Sequence, residues 1–128
     1  MSEIRTIFTD RAPAAIGPYS QGKAAGGFLY FSGQIPIVPE TGALEQGGVT
    51  RQTERVIANI KALLEASNSD LDHVVKTLCF LTDMSDFQDF NEVYGRNFKS
   101  APARSCVAVS GLPKGALVEI EVIAVERG

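Results

Sequence analysis

Residues 73–82 read HVVKTLCFLT, a run so dense in β-branched and aromatic side chains that it predicts a central strand rather than a surface helix. Side chains alternate across a strand, so Val74, Lys76, Leu78 and Phe80 share one face, and Val75, Thr77, Cys79 and Leu81 the other. Both sets are mostly apolar, and such a strand needs cover on both faces. Immediately upstream, from about Val49 to Ala66, Val56, Ile57, Ile60, Leu63 and Leu64 recur at helical intervals among charged residues, which predicts an amphipathic helix. Downstream, Ser85 and Gln88 fit a capping box, and Phe87, Phe90, Tyr94 and Phe98 repeat at helical spacing to about Lys99. Two helices cover one face of a sheet. The sequence holds no third layer, so identical subunits in closed symmetry are expected to cover the other.

The remaining segments complete an α+β domain spanning residues 1–128 in the order βββαβαββ. Arg5–Thr9 alternates like a short edge strand, and the prolines and glycine of RAPAAIGP then break regular structure. Tyr19–Ala24 and Phe28–Gly33 read as strands joined by Gly26-Gly27, a dipeptide suited to the positive φ angles of a hairpin turn. Arg104–Val109 and Leu117–Val125 read as two closing strands joined by the turn SGLPKG.

Composition narrows the function. A net charge of -3 with scattered Lys and Arg argues against a nucleic-acid module, which draws affinity from clustered cations. Cys79 and Cys106 lie in apolar runs without CxxC spacing and read as reduced core thiols, which points to the cytoplasm. No 18 apolar residues run together, so membrane insertion is not signalled. His73 is the only histidine; beside Asp70 and Asp72 it reads as structural, and no metal or cofactor is expected. GPYSQGK (17–23) imitates a phosphate-binding loop, but Ala24 stands where Ser or Thr is required and a Gly-Gly turn replaces the helix.

Three places could carry chemistry. Arg104 lies between a Pro-Ala stop and an apolar strand, where a guanidinium can grip a carboxylate with two parallel hydrogen bonds, or else cap a helix end or pair with a structural glutamate. Glu119 and Glu121 interrupt one face of LVEIEVIAV (117–125), either as solvated acids or as a functional pair. In an antiparallel hairpin Cys106 can face Glu119 and Arg104 face Glu121, but a slip of one residue destroys that arrangement, and the register stays open. Tyr19, beside a rigid turn, lines a pocket or simply packs.

Taken together, APAAIGPYSQG, FSGQIP, FNEVY, PARSCVAV and VEIEVIAV resemble the Rid/YjgF family over nearly the whole chain. The resemblance implies a fold similar to chorismate mutase of the trimeric barrel type, with clefts between subunits of a homotrimer. It implies hydrolytic deamination of 2-imino acids such as 2-iminobutanoate and 2-iminopropanoate to 2-keto acids and ammonia. By the same resemblance Arg104 binds the substrate carboxylate, Ser32, Gly33, Tyr19, Asn91 and Cys106 line the cleft, and Glu119 matches the acidic residue associated with deamination. Ala108 departs from the Glu or Gln that many relatives carry. Competing readings are a binding module for small carboxylates without turnover, and ribonuclease activity, which the acidic charge and lone histidine disfavour.

Overall fold

The computed structural model describes residues 3–128. Strands β1 (Arg5–Ile7), β2 (Gly22–Ala25) and β3 (Phe28–Phe31) precede helix α1 (Gly48–Ala66); β4 (Val74–Leu81), α2 (Phe87–Asn97), β5 (Ala103–Ala108) and β6 (Val118–Val125) follow. The βββαβαββ order therefore holds. Gly26 and Gly27 take φ of 60° and 84°, the left-handed pair that closes the β2–β3 hairpin without steric cost.

All six strands form one sheet in the order β1-β2-β3-β6-β4-β5. This corrects the expected closing hairpin. β6 lies antiparallel between β3 and β4, while β5 runs parallel to β4 at the sheet edge and does not pair with β6. The segment 109–117 therefore crosses β4 rather than making a local turn. Arg104 shares its rung with Thr77, and Cys106 with Cys79.

The strict alternation expected for β4 also needs correction. A register shift between Val74 and Lys76 marks an irregularity at Val75, so Val74 joins Thr77, Cys79 and Leu81 in the helix-covered core. Helix α1 buries Val56, Ile57, Ile60, Leu63 and Leu64 against the sheet, and α2 adds Phe90, Val93 and Tyr94. The proposed capping box does not form: Phe87 opens α2, and Asp83 instead accepts from the Ser85 amide at 2.9 Å.

Buried polar side chains staple loops onto this frame. Gln52 of α1 accepts from the Leu117 amide at 2.9 Å and donates to the Glu45 carbonyl at 3.0 Å, while Asn59 donates to the Ile37 carbonyl at 2.9 Å. Gln21, almost wholly buried, accepts from the Thr9 amide at 2.8 Å and donates to the Thr9 and Pro13 carbonyls, each at 2.9 Å, which holds the 9–21 loop. Each bond satisfies a backbone group that an irregular segment would otherwise bury unpaired.

The opposite face of the sheet is apolar and open within one chain. Phe28, Tyr30 and Val107 on it are 42%, 46% and 49% exposed, and Leu78, Phe80 and Ile123 are half-buried beside them. Among the described residues no helix is long and apolar enough to cross a membrane.

Candidate active site

Arg104 lies on edge strand β5, on the helix side of the sheet because its rung partner Thr77 points into the core. Its Nη1 donates to Asn91 Oδ1 of α2 at 2.7 Å. Its guanidinium carbon sits 4.7 Å from the Tyr94 ring centroid and 5.6 Å from that of Phe87. The aromatic stripe of α2 thus packs the core and also carries a cation on its outer edge.

Beneath the guanidinium, the hydroxyls of Tyr94 and Thr77 share a hydrogen bond of 2.7 Å. Burial raises the Tyr94 phenol above its ordinary range, with the Thr77 bond opposing the shift. Desolvation drives the Cys79 thiol up to about 12. Cys106, two residues from Arg104 on the same side of β5, is only half-buried, which corrects its reading as a core thiol. Its thiol is raised by burial and pulled back by Arg104. His73 bonds through Nδ1 to Asp70 Oδ1 at 2.6 Å, away from these residues, and keeps its structural reading.

Glu119 and Glu121 do share one face, but it is the other one: Glu119 opposes Phe80 and Glu121 opposes Leu78, both on the side away from the helices. Within one chain neither faces Arg104, whatever the hairpin register, because β4 separates β5 from β6. Burial, and secondarily the negative charge of Glu121, raise the Glu119 carboxyl above the ordinary carboxylate range.

Around Glu119 the β3 end is bulged. Tyr30 pairs with Ile123 and Gln34 bridges Ile120, so one extra residue is accommodated at Ser32-Gly33. The Glu119 carboxylate lies directly against Gly33, where any Cβ would overlap it. Ser32 donates through Oγ to the Ser20 carbonyl at 2.6 Å, tying this bulge to the loop that carries Tyr19. Tyr19 itself is 55% exposed. Tyr19 and Gly33 share the wall of a depression of about 420 Å³ with Ile16, Ile35, Ile37 and Pro113.

The candidate residues therefore form two half-sites. Arg104, Asn91 and Cys106 make one on the helix side of the β5 edge; Tyr19, Ser32, Gly33 and Glu119 make the other at the far side of the sheet. In the sequence Phe87, Tyr94 and Thr77, which surround the arginine, read only as helix and strand residues and not as part of a site. Their signal was present as the α2 aromatic spacing, which core packing alone also explains.

A six-stranded sheet under two helices is an architecture shared with known proteins. The chain belongs to the YjgF/Rid family: the family model described as endoribonuclease L-PSP matches residues 9–126. A RutC family protein of Pyrococcus horikoshii is 53% identical over 119 residues, covering 92% of this chain and 94% of that protein. RidA from a Psychrobacter species is 48% identical with a TM-score of 0.90, covering 94% and 98% of the two chains. Escherichia coli TdcF, solved with bound serine, is 42% identical with a TM-score of 0.91, covering 96% and 99%.

Proposed function

We propose that the protein hydrolyses reactive 2-imino acids to 2-keto acids and ammonia, in clefts where a second copy of the chain brings its Glu119 half-site against Arg104. The observation that carries this reading is the state of Arg104. Six of the seven arginines lie within 4.0 Å of a carboxylate, whereas Arg104 has no acidic partner among the described residues. It is instead held by an amide and two aromatic rings, a setting that leaves its charge available to an incoming carboxylate.

A homotrimer fits the same features. The open apolar face carries Phe28, Tyr30 and Val107, and covering it with further copies supplies the missing layer while joining the half-sites. The relative solved with bound serine supports a pocket for a small molecule bearing a carboxylate and a nitrogen on the same carbon. The acidic chain and single histidine disfavour a ribonuclease.

Arg104 holds the substrate carboxylate and thereby fixes the adjacent C=N carbon. Glu119, whose carboxyl is raised by burial and secondarily by Glu121, is placed to hand a proton to the imine nitrogen. Water then attacks the carbon, the π electrons of C=N pass to nitrogen, and Glu119 recovers a proton from the attacking water. The aminoalcohol hydroxyl then gives up its proton, which passes to the nitrogen, and the C–N bond breaks with its electrons going to nitrogen, leaving a carbonyl and ammonia. Imine and water are consumed one for one, so no electron acceptor is required.

The test generates 2-iminopropanoate and 2-iminobutanoate with an amino-acid oxidase or a dehydratase and follows keto-acid release. Acceleration by the protein, abolished in Arg104→Ala, is the expected result; no acceleration with retained keto-acid binding would favour a carboxylate sensor instead.

A further inference from the structure

We infer that Tyr94 is the positioning residue that fixes the plane of the Arg104 guanidinium. The kinetic part of this inference rests on the proposed imine hydrolysis; the orientation of the arginine does not.

The contacts close a loop. Thr77 and Arg104 occupy the same rung of the parallel β4–β5 ladder. From that rung the Thr77 hydroxyl reaches the Tyr94 hydroxyl at 2.7 Å, and the ring of the same tyrosine returns beneath the guanidinium at 4.7 Å. Both ends of the tyrosine thus refer to one pair of backbone positions. The ring is further restrained by stacking on Phe98, with centroids 4.4 Å apart and planes 28° from parallel, and by Phe90 at 5.7 Å. Tyr94 is only 6% exposed, so its face is a fixed shelf rather than a mobile surface side chain.

On that shelf, one donor of the guanidinium fork is used by Asn91 Oδ1 at 2.7 Å, and the others have no hydrogen-bond partner among the described residues. A flat cation pinned on its face and at one nitrogen presents its remaining donors in a set direction. Two-point recognition of a carboxylate requires that direction, since a freely rotating fork loses conformational entropy with each ligand it binds. Tyr94 contributes no atom to the reaction, so its loss weakens the grip on the substrate without altering the bond-making steps.

The test combines nitrogen-15 NMR of the arginine side chains with steady-state kinetics on Tyr94→Met, which keeps bulk but removes the aromatic face, and on Tyr94→Phe, which keeps the face. In the wild type the Arg104 Nη signals should be separate and slowly averaging; in Tyr94→Met they should collapse, and in Tyr94→Phe they should persist. KM for the imine, or Kd for pyruvate, should rise about tenfold in Tyr94→Met with kcat within about twofold, and Tyr94→Phe should recover most of the loss. Freely averaging Nη signals in the wild type overturn the inference without any variant. A fall in kcat alone, or a Phe variant as impaired as the Met variant, also overturns it. A wild type that hydrolyses no imine removes the proposed function, while its NMR spectrum still decides the role of Tyr94.

Discussion

Replacing Gly33 by alanine gives a direct test of why a glycine stands beside Glu119. Gly33 does not adopt a positive φ, so backbone freedom is not the reason. The reason is space: a Cβ there would lie 2.9 Å from Glu119 Cδ and 3.2 Å from Cγ, and would overlap Oε2. Ordinary carbon contacts are about 3.5–4.0 Å, so the carboxylate must leave its position or the bulge must open. Overpacking of this kind costs about 1–3 kcal/mol. In a Glu119→Ala background the obstruction is gone, and Gly33→Ala should then be neutral or stabilising by about 0.4–1 kcal/mol through loss of unfolded-chain freedom. Urea unfolding of the four proteins at one fixed concentration, followed by circular dichroism, yields the coupling energy. A coupling of about 1–4 kcal/mol is expected. Equal costs in both backgrounds would refute the argument, because the glycine would then be answering some other demand.

Three further outcomes follow from the same geometry. Thr77→Val leaves the buried Tyr94 hydroxyl without its partner and should destabilise the protein by about 1–3 kcal/mol in urea, whereas Thr77→Val with Tyr94→Phe should cost less than the two single changes added. The Glu119 carboxyl is raised by burial and by Glu121, so its contribution to stability is fully present below the ordinary value of 4.5 and lost as pH rises through the folded-state value. Glu119→Gln removes that loss, and its urea midpoint should gain on the wild type as pH rises through this window and then run parallel; a constant offset across all pH values contradicts the assignment. Finally, a thiol reagent at pH 8 should modify half-buried Cys106 and spare Cys79, whose thiol is pushed up to about 12; two equally reactive thiols by mass spectrometry would be inconsistent with the fold.

The sequence exposed the parts of the fold whose signal is local. HVVKTLCFLT, the α1 periodicity and the Gly26-Gly27 turn each depend on neighbouring residues, and each reads correctly. The place of β5 does not depend on neighbours. ARSCVA fits either edge of a sheet, and only the antiparallel grip of β3 and β4 on β6 leaves β4 as its partner. That single non-local choice decides that Arg104 and Glu119 stand on opposite faces, so no scan of hairpin registers could have joined or separated them correctly. The irregularity at Val75 is hidden for a related reason: it shifts the alternation by one residue in a stretch where nearly every side chain is apolar. Arg104, Glu119 and Gly33 stand out as candidate site residues through the resemblance of their motifs. Tyr94 and Thr77 were not, because a tyrosine on an aromatic helix stripe and a threonine in a strand already have sufficient reasons to be there.

The central claim, that Arg104 and Glu119 act together across two copies of the chain, is tested most directly by subunit mixing. Arg104→Ala and Glu119→Ala proteins should each fail to accelerate keto-acid release from 2-iminopropanoate. Unfolded together in equal amounts and refolded, they should regain about a quarter of wild-type activity per chain, the share of interfaces that receives both native side chains by chance in a closed ring. A mixture as inactive as its components, although correctly refolded and co-assembled, would contradict the account.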